Sequence, residues 1–139
     1  MNYWLVKSEP SVYSWDQLVE EKRTFWNGVR NYTARNNMRE MKKGDKLFYY
    51  HSNEGLEIIG ISEVVKESYQ DPTTENKNWV VVDIKPVKKL KYPVPLSAIK
   101  QVPQLSNMEL VKNSRLSVQK VTPEEWELII RMSKESNVE

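Results

Sequence analysis

The sequence predicts an α+β domain: a small, partly closed β-barrel of about five to six strands, with short helices at its rim. Three observations lead there. Apolar runs rich in Val, Ile, Tyr and Phe recur through the chain, as strands require. The helix-patterned stretches between them are short. The length, 139 residues, suits one domain, residues 1–139, able to bury a core without a repeat or linker. A split α+β sandwich is the alternative that periodicity leaves open.

The elements follow in order. "NYWLVK" alternates and predicts a strand from Asn2 to Lys7, broken by "SEP". Ser14 opens a short helix, "SWDQLVEEK", with Gln17 at capping-box spacing. "TARNNMREMKK" predicts a second helix, with Met38 and Met41 on its inner face and Gly44 ending it. "DKLFYYHS" is a strand, "NEG" a turn, and "LEIIGISEVVKESY" a long strand whose interior Gly60 marks a bulge or corner. "DPTTENKN" is a loop. "WVVVDIKPVKKL" is another strand, with Pro86 pointing to an edge or bend. "PLSAIKQ" and "NMELVK" are helical turns, and "RLSVQKV" is the last strand. Thr122, Pro123 and Glu125 then cap "PEEWELIIRM", which buries Trp126, Ile129, Ile130 and Met132. The tail "SKESNVE" reads as frayed.

Composition removes several chemistries. There is no Cys and one His, so thiolate and histidine metal clusters are excluded, and zinc-dependent deamination with them. None of the four glycines belongs to a P-loop or a G-x-G-x-x-G fingerprint. No G-x-S-x-G elbow is present. His51 and Ser52 are adjacent on a strand and face opposite sides, so His51 reads as a packing or hydrogen-bonding residue. No apolar run is long enough for a bilayer, about 20 residues, and no signal segment opens the chain. The expectation is a soluble, intracellular monomer with no membrane partner.

Net charge is only +2, but its distribution is uneven. Lys22 to Lys46 holds eight basic residues against Glu40 and Asp45, and Lys85 to Lys100 holds five Lys and no acid. Two such segments predict a positive face suited to a phosphate backbone. Within the first lies "TFWNGVRNYTARNN", which joins a Phe-Trp pair, a Gly, two Arg and four Asn without one acid. An aromatic face can stack on a nucleobase, an amide can pair with its edge, and Arg can hold phosphate bidentately. Gly28 allows close backbone approach. The alternative is that Trp26 is core and the Asn residues form turns.

The blocks "YWLVKSEP", "WNGVRNYTARNNMREMKKGD", "FYYHSN", "GISEVV", "YQDPT", "WVVVD" and "SRLSVQKVT" resemble, in order and spacing, the EVE domain family. The likeness covers about residues 2 to 132 and takes in bacterial EVE proteins and eukaryotic thymocyte nuclear protein. It implies a PUA-like pseudobarrel related to YTH and ASCH domains, without a cofactor or an established catalytic activity. It implies a reader of a modified nucleobase, such as methylated or hydroxymethylated cytosine, flipped from DNA or RNA into an aromatic pocket. By resemblance the pocket would draw on Lys7, Ser8, Glu9 and Pro10, and on Trp26 as a wall with Asn27, Gly28, Val29, Arg30 and Asn31. The family's motifs add Tyr50, His51, Ser52, Tyr69, Asp71, Pro72, Ser114 and Arg115. Arg30 would line the mouth, and Arg35, Arg39, Lys42, Lys43, Lys88 and Lys89 would meet phosphates.

Two positions depart from the family's pattern. Asn27 stands where Asp is usual, which removes charge assistance from any bond to an exocyclic amine. The segment between Asp71 and Trp79 is short, which reduces any lid it forms. An alternative function is an ASCH-like hydrolase of a modified nucleoside or base, with Lys7 and Glu9 as a base-and-acid pair. A third is a protein-interaction module at the edge near Pro86.

Overall fold

The computed structural model describes residues 1–135. Its elements run β1 (Tyr3–Ser8), α1 (Trp15–Glu21), β2 (Thr24–Phe25), α2 (Tyr32–Glu40), β3 (Lys46–His51), β4 (Glu57–Gln70) and β5 (Val80–Pro95). They continue through α3 (Leu96–Lys100), a 3₁₀ turn (Pro103–Leu105), α4 (Glu109–Lys112), β6 (Val118–Val121) and α5 (Pro123–Met132). The six strands form one mixed sheet in the order β2-β5-β4-β3-β1-β6. β1 and β3 pair in parallel, from Tyr3 opposite Lys46 to Ser8 opposite His51. The other pairings are antiparallel.

Both faces of the sheet are covered, so "LFYY" in β3 is buried throughout rather than alternating with polar residues. One face packs Trp4, Val6, Leu47, Tyr49 and Val82 against Trp15 and Leu18 of α1 and Ala34 and Met38 of α2. The other packs Leu5, Phe48, Tyr50 and Ile58 against Ile99, Leu110, Trp126 and Ile129 of the carboxy-terminal helices. Trp126 stacks on Phe48 at 3.8 Å between ring centroids, and on the opposite side meets Tyr3 at 4.5 Å.

The sheet is curled because its long strands are irregular. β4 changes register against β5 four times, and at Ile58/Gly60 the shift leaves Ile59 unpaired. Such bulges bend a strand and raise its twist. Gly60 is required there: a Cβ at this position would lie 2.6 Å from the Trp15 ring. Pro86 sits opposite Ser62 beside another shift, beyond the stretch where β2 covers the far edge of β5.

Helix ends follow their caps. The Ser14 hydroxyl accepts from the Gln17 N–H at 3.1 Å, but the Gln17 amide donates to Glu21, so only half of the predicted capping box forms. Thr122 and Glu125 form a complete box on α5. Helix α2 begins one residue before the expected Thr33 because the Asn31 carboxamide accepts from the Ala34 N–H at 2.9 Å. It ends at Glu40 rather than continuing to Lys43. The buried Asp45 carboxylate collects the N–H groups of Lys42 and Asn2 and the Trp4 indole N–H, which turns the chain into β3.

The tail is only partly the frayed segment the sequence suggests. Ser133 is buried, and its carbonyl accepts from Tyr92 at 3.0 Å; residues 136–139 lie outside the described residues. Among the described residues no helix is long and apolar enough to cross a membrane.

Candidate base-binding cavity

At the carboxyl end of β1 the strand meets the segment that follows β2. These belong to opposite sides of the sheet, and flat strands about 4.8 Å apart would keep them well separated. The curl brings them together around a cavity of about 360 Å³, lined by residues of both edges. Lys7 and Ser8 come from β1, Val12 and Tyr13 from the turn after it, Thr24 to Val29 from β2 and its continuation, and Ser117 from the approach to β6. The volume falls within the range of small-ligand pockets, about 300–1,000 Å³.

Each wall is fixed by its own bonds. The Lys7 N–H donates to the Ser117 carbonyl, and the Ser52 N–H donates to that of Ser8. The Glu9 carbonyl accepts from both Val12 and Tyr13, which folds residues 9–13 into the turn. On the other side the Trp26 N–H donates to Val82 at 2.8 Å, tying the wall to β5. Gly28 has φ +78° with open space where a Cβ would project, so a ligand can reach its backbone.

Trp26 is not the exposed aromatic its polar neighbours suggest. It is 8% exposed and belongs to the first core, while the adjacent Phe25 is 40% exposed. Its ring stands edge-to-face with Tyr13 at 6.2 Å and Tyr49 at 5.5 Å. It is therefore both core and cavity wall, so the two alternatives that its sequence context offers are both partly met. Tyr49, absent from the sequence-based set, holds the arrangement. Its hydroxyl donates to the Tyr13 carbonyl at 2.8 Å, and its ring also meets Trp15 and His51. Burial pushes its phenol upward, so it remains a donor. Tyr13, whose own hydroxyl donates to Glu21, is the second aromatic wall missed from sequence.

Lys7 is the cation at the rim. Its ammonium donates to the Ser114 carbonyl at 2.6 Å and lies 5.7 Å from the Tyr50 ring centroid. Burial lowers its pKa from the ordinary lysine value. Ser114 and Arg115 are exposed beside this contact.

Several residues drawn from the family motifs do not line the cavity. Asn31 caps α2. Tyr50 belongs to the second core, on the other face of the sheet. The His51 Nε2 accepts the Trp15 N–H at 3.1 Å, and burial, with Lys89 nearby, lowers its pKa despite the opposing charge of Asp16. The neutral ring thus anchors the start of α1, the packing role expected of it. Glu9 and Pro10 shape the turn without reaching the cavity, so Lys7 and Glu9 are not assembled there as an acid–base pair.

A separate polar cluster accounts for Arg30, Tyr69, Asp71 and Pro72. The fully buried Asp71 carboxylate accepts from the Thr73 hydroxyl and N–H and from Arg30 at 3.2 Å. Burial works against its ionisation, but these donors together hold the carboxyl below its usual range. Tyr69 donates to Asp83 at 2.5 Å; burial and that carboxylate push its phenol up to about 12. Arg30 is thus committed to Asp71 rather than placed at the cavity mouth. Pro72 opens the loop beside it.

The basic residues do not form one patch around the cavity. Lys42 and Lys43 lie in the turn before β3, beside the first residue of β1. The cavity is at the other end of that parallel pair, roughly 17 Å away at about 3.3 Å per residue. Arg39, in the last turn of α2, shares that far end. Lys88 and Lys89 flank Trp15 and Val19 on β5, three strands from β1. Arg35 donates to the Asn78 carbonyl at 3.3 Å.

The six-stranded mixed sheet curls without closing into the expected barrel, and with its short helices it has a PUA-like fold. The EVE domain matches residues 2–132, and the chain belongs to that family. It is 36% identical to thymocyte nuclear protein 1 of Gallus gallus, in an alignment that covers 96% of this chain and 69% of that protein. The NMR structure of Rpa0253 from Rhodopseudomonas palustris superimposes with a TM-score of 0.92 at 54% identity, covering 96% and 94% of the two chains. The crystal structure of the human THYN1 protein in complex with DNA containing 5-methylcytosine does so with a TM-score of 0.90 at 34% identity, covering 98% and 99%.

Proposed function

We propose that the protein is a non-catalytic DNA-binding domain that reads a modified base, methylated or hydroxymethylated cytosine, extruded from its stack into the cavity at the end of β1. The observation that carries this reading is the cavity itself: about 360 Å³, with Tyr13 and Trp26 as walls and Ser8, Thr24, Asn27 and Ser117 around it. The family relative solved with 5-methylcytosine DNA makes a cytosine derivative in DNA the first candidate over RNA.

Extrusion costs a few kcal/mol, which stacking on an aromatic wall, worth about 1–3 kcal/mol, and edge hydrogen bonds offset. The Asn27 amide can accept from the cytosine exocyclic amine or donate to its carbonyl. A buried methyl adds roughly 0.8 kcal/mol, a few-fold in affinity. Lys7 and Arg115 stand near the rim where the backbone of an extruded nucleotide passes.

The test is fluorescence anisotropy with DNA and RNA oligonucleotides carrying cytosine, 5-methylcytosine or 5-hydroxymethylcytosine, at two salt concentrations. The expected result is tighter binding of a modified DNA strand, with the preference lost in Asn27→Ala. Equal affinity for every oligonucleotide would overturn the reading.

A further inference from the structure

Outside the cavity, among the described residues, Tyr32 and Trp79 form an aromatic cluster that belongs to neither core. Tyr32, 60% exposed at the start of α2, stacks on Trp79 at 5.3 Å with 27° between the planes. The Arg35 guanidinium lies 4.7 Å from the Tyr32 centroid and 6.0 Å from that of Trp79. Arg30 lies 5.3 Å from the Trp79 centroid. Side chains that hold one another in this way lose little freedom when a flat ligand is added. They are also the groups that take unpaired bases: π faces for stacking and guanidinium planes for cation–π contact.

The cluster is close to the cavity. Val29 lines the cavity, and Tyr32 follows three residues later, so their Cα atoms are at most about 11 Å apart. That span suits a neighbouring nucleotide of the same strand. Asp71, fully buried beneath the cluster, fixes the far end of Arg30, and the Asn78 carbonyl fixes Arg35. The platform is held from both sides.

We propose that Tyr32 and Trp79, with Arg30 and Arg35, form a second base-stacking site for the nucleotide flanking the one held in the cavity. The proposal rests on the reading of the cavity as a base site. It assigns to Tyr32 and Trp79 a role in holding the strand, largely independent of which base is stacked, because every base presents a π face.

The experiment is a double-mutant cycle between Tyr32 and the flanking base. One probe is a single-stranded DNA with one 5-methylcytosine; the other is the same strand with abasic sites on both sides of it. Tyr32→Ala is expected to bind the intact strand roughly ten-fold more weakly and the flank-abasic strand as wild type does. Tyr32→Phe keeps the ring and is expected to match wild type on both.

Tyr32→Ala binding the intact strand like wild type would overturn the proposal. So would an equal loss on both probes, which would mark Tyr32 as a prop for the 71–79 loop only. Failure of the cavity reading shows separately, as wild-type protein that does not distinguish methylated from unmethylated strands while the Tyr32 cycle keeps its sign.

Discussion

Trp26→Ala acts on two things at once, and the structure says how much on each. The ring is 8% exposed and meets Tyr13 and Tyr49 edge-to-face. Its removal forfeits apolar burial, leaves a void and breaks two aromatic contacts worth about 0.5–1.5 kcal/mol each. Large-to-small changes of this kind cost about 3–5 kcal/mol from a total of roughly 5–15 kcal/mol. In a domain of this size that corresponds to a fall in melting temperature of roughly 10–20 °C. The Trp26 N–H bond to Val82 is backbone and survives, so β2 stays at its edge.

Urea unfolding followed by circular dichroism gives the stability loss, and anisotropy well below the midpoint gives the affinity. Binding is expected to drop by about 5- to 150-fold, the worth of one stacking wall. Trp26→Phe, which keeps a ring, is expected to recover most of both. A Trp26→Ala protein that loses under about 1 kcal/mol and binds the methylated strand like wild type would refute the double role.

Other outcomes follow from the same contacts. Gly60→Ala is expected to cost about 1–3 kcal/mol by overpacking, since its Cβ would press on Trp15; chemical denaturation checks this, and Trp15→Leu in the same chain is expected to recover part of the loss. His51 binds its proton less readily folded than unfolded, so the unfolded state holds more protons in the interval below the ordinary value of 6.5. Its stabilising contribution is therefore present above 6.5 and lost as pH falls through the lower, folded value. Stability measured across that interval is expected to slope less in His51→Gln, because the chain has no second histidine. Arg115→Ala is expected to weaken DNA binding and lower the salt slope by about one unit, whereas Lys43→Ala, at the far end of β1, is expected to change neither. Equal effects from the two would contradict the placement of the basic residues around the cavity.

Much of this protein was open to reading from local pattern. The strands starting at Tyr3, Lys46, Glu57 and Val80, the capped α5 and the corner at Gly60 are visible because their periods and punctuation act over a few residues. The family blocks led to Lys7, Ser8 and the Trp26–Val29 segment, and these line the cavity. The two-residue β2 was invisible, since nothing local makes Thr24 and Phe25 a strand; β5 does so by pairing with them.

What the tertiary structure alone decided is which side chains share a space. Tyr13 and Ser117 line the cavity, with Tyr49 packed behind Trp26, because bulges curl the sheet and bring the end of β1 close to the segment after β2. Tyr50, next to Tyr49 on β3, faces the opposite core, Arg30 pairs with Asp71, and Lys42 and Lys43 lie a strand's length away. Periodicity records which face of an element is apolar. It does not record how far a sheet bends, because bending is set by register shifts between strands distant in the chain.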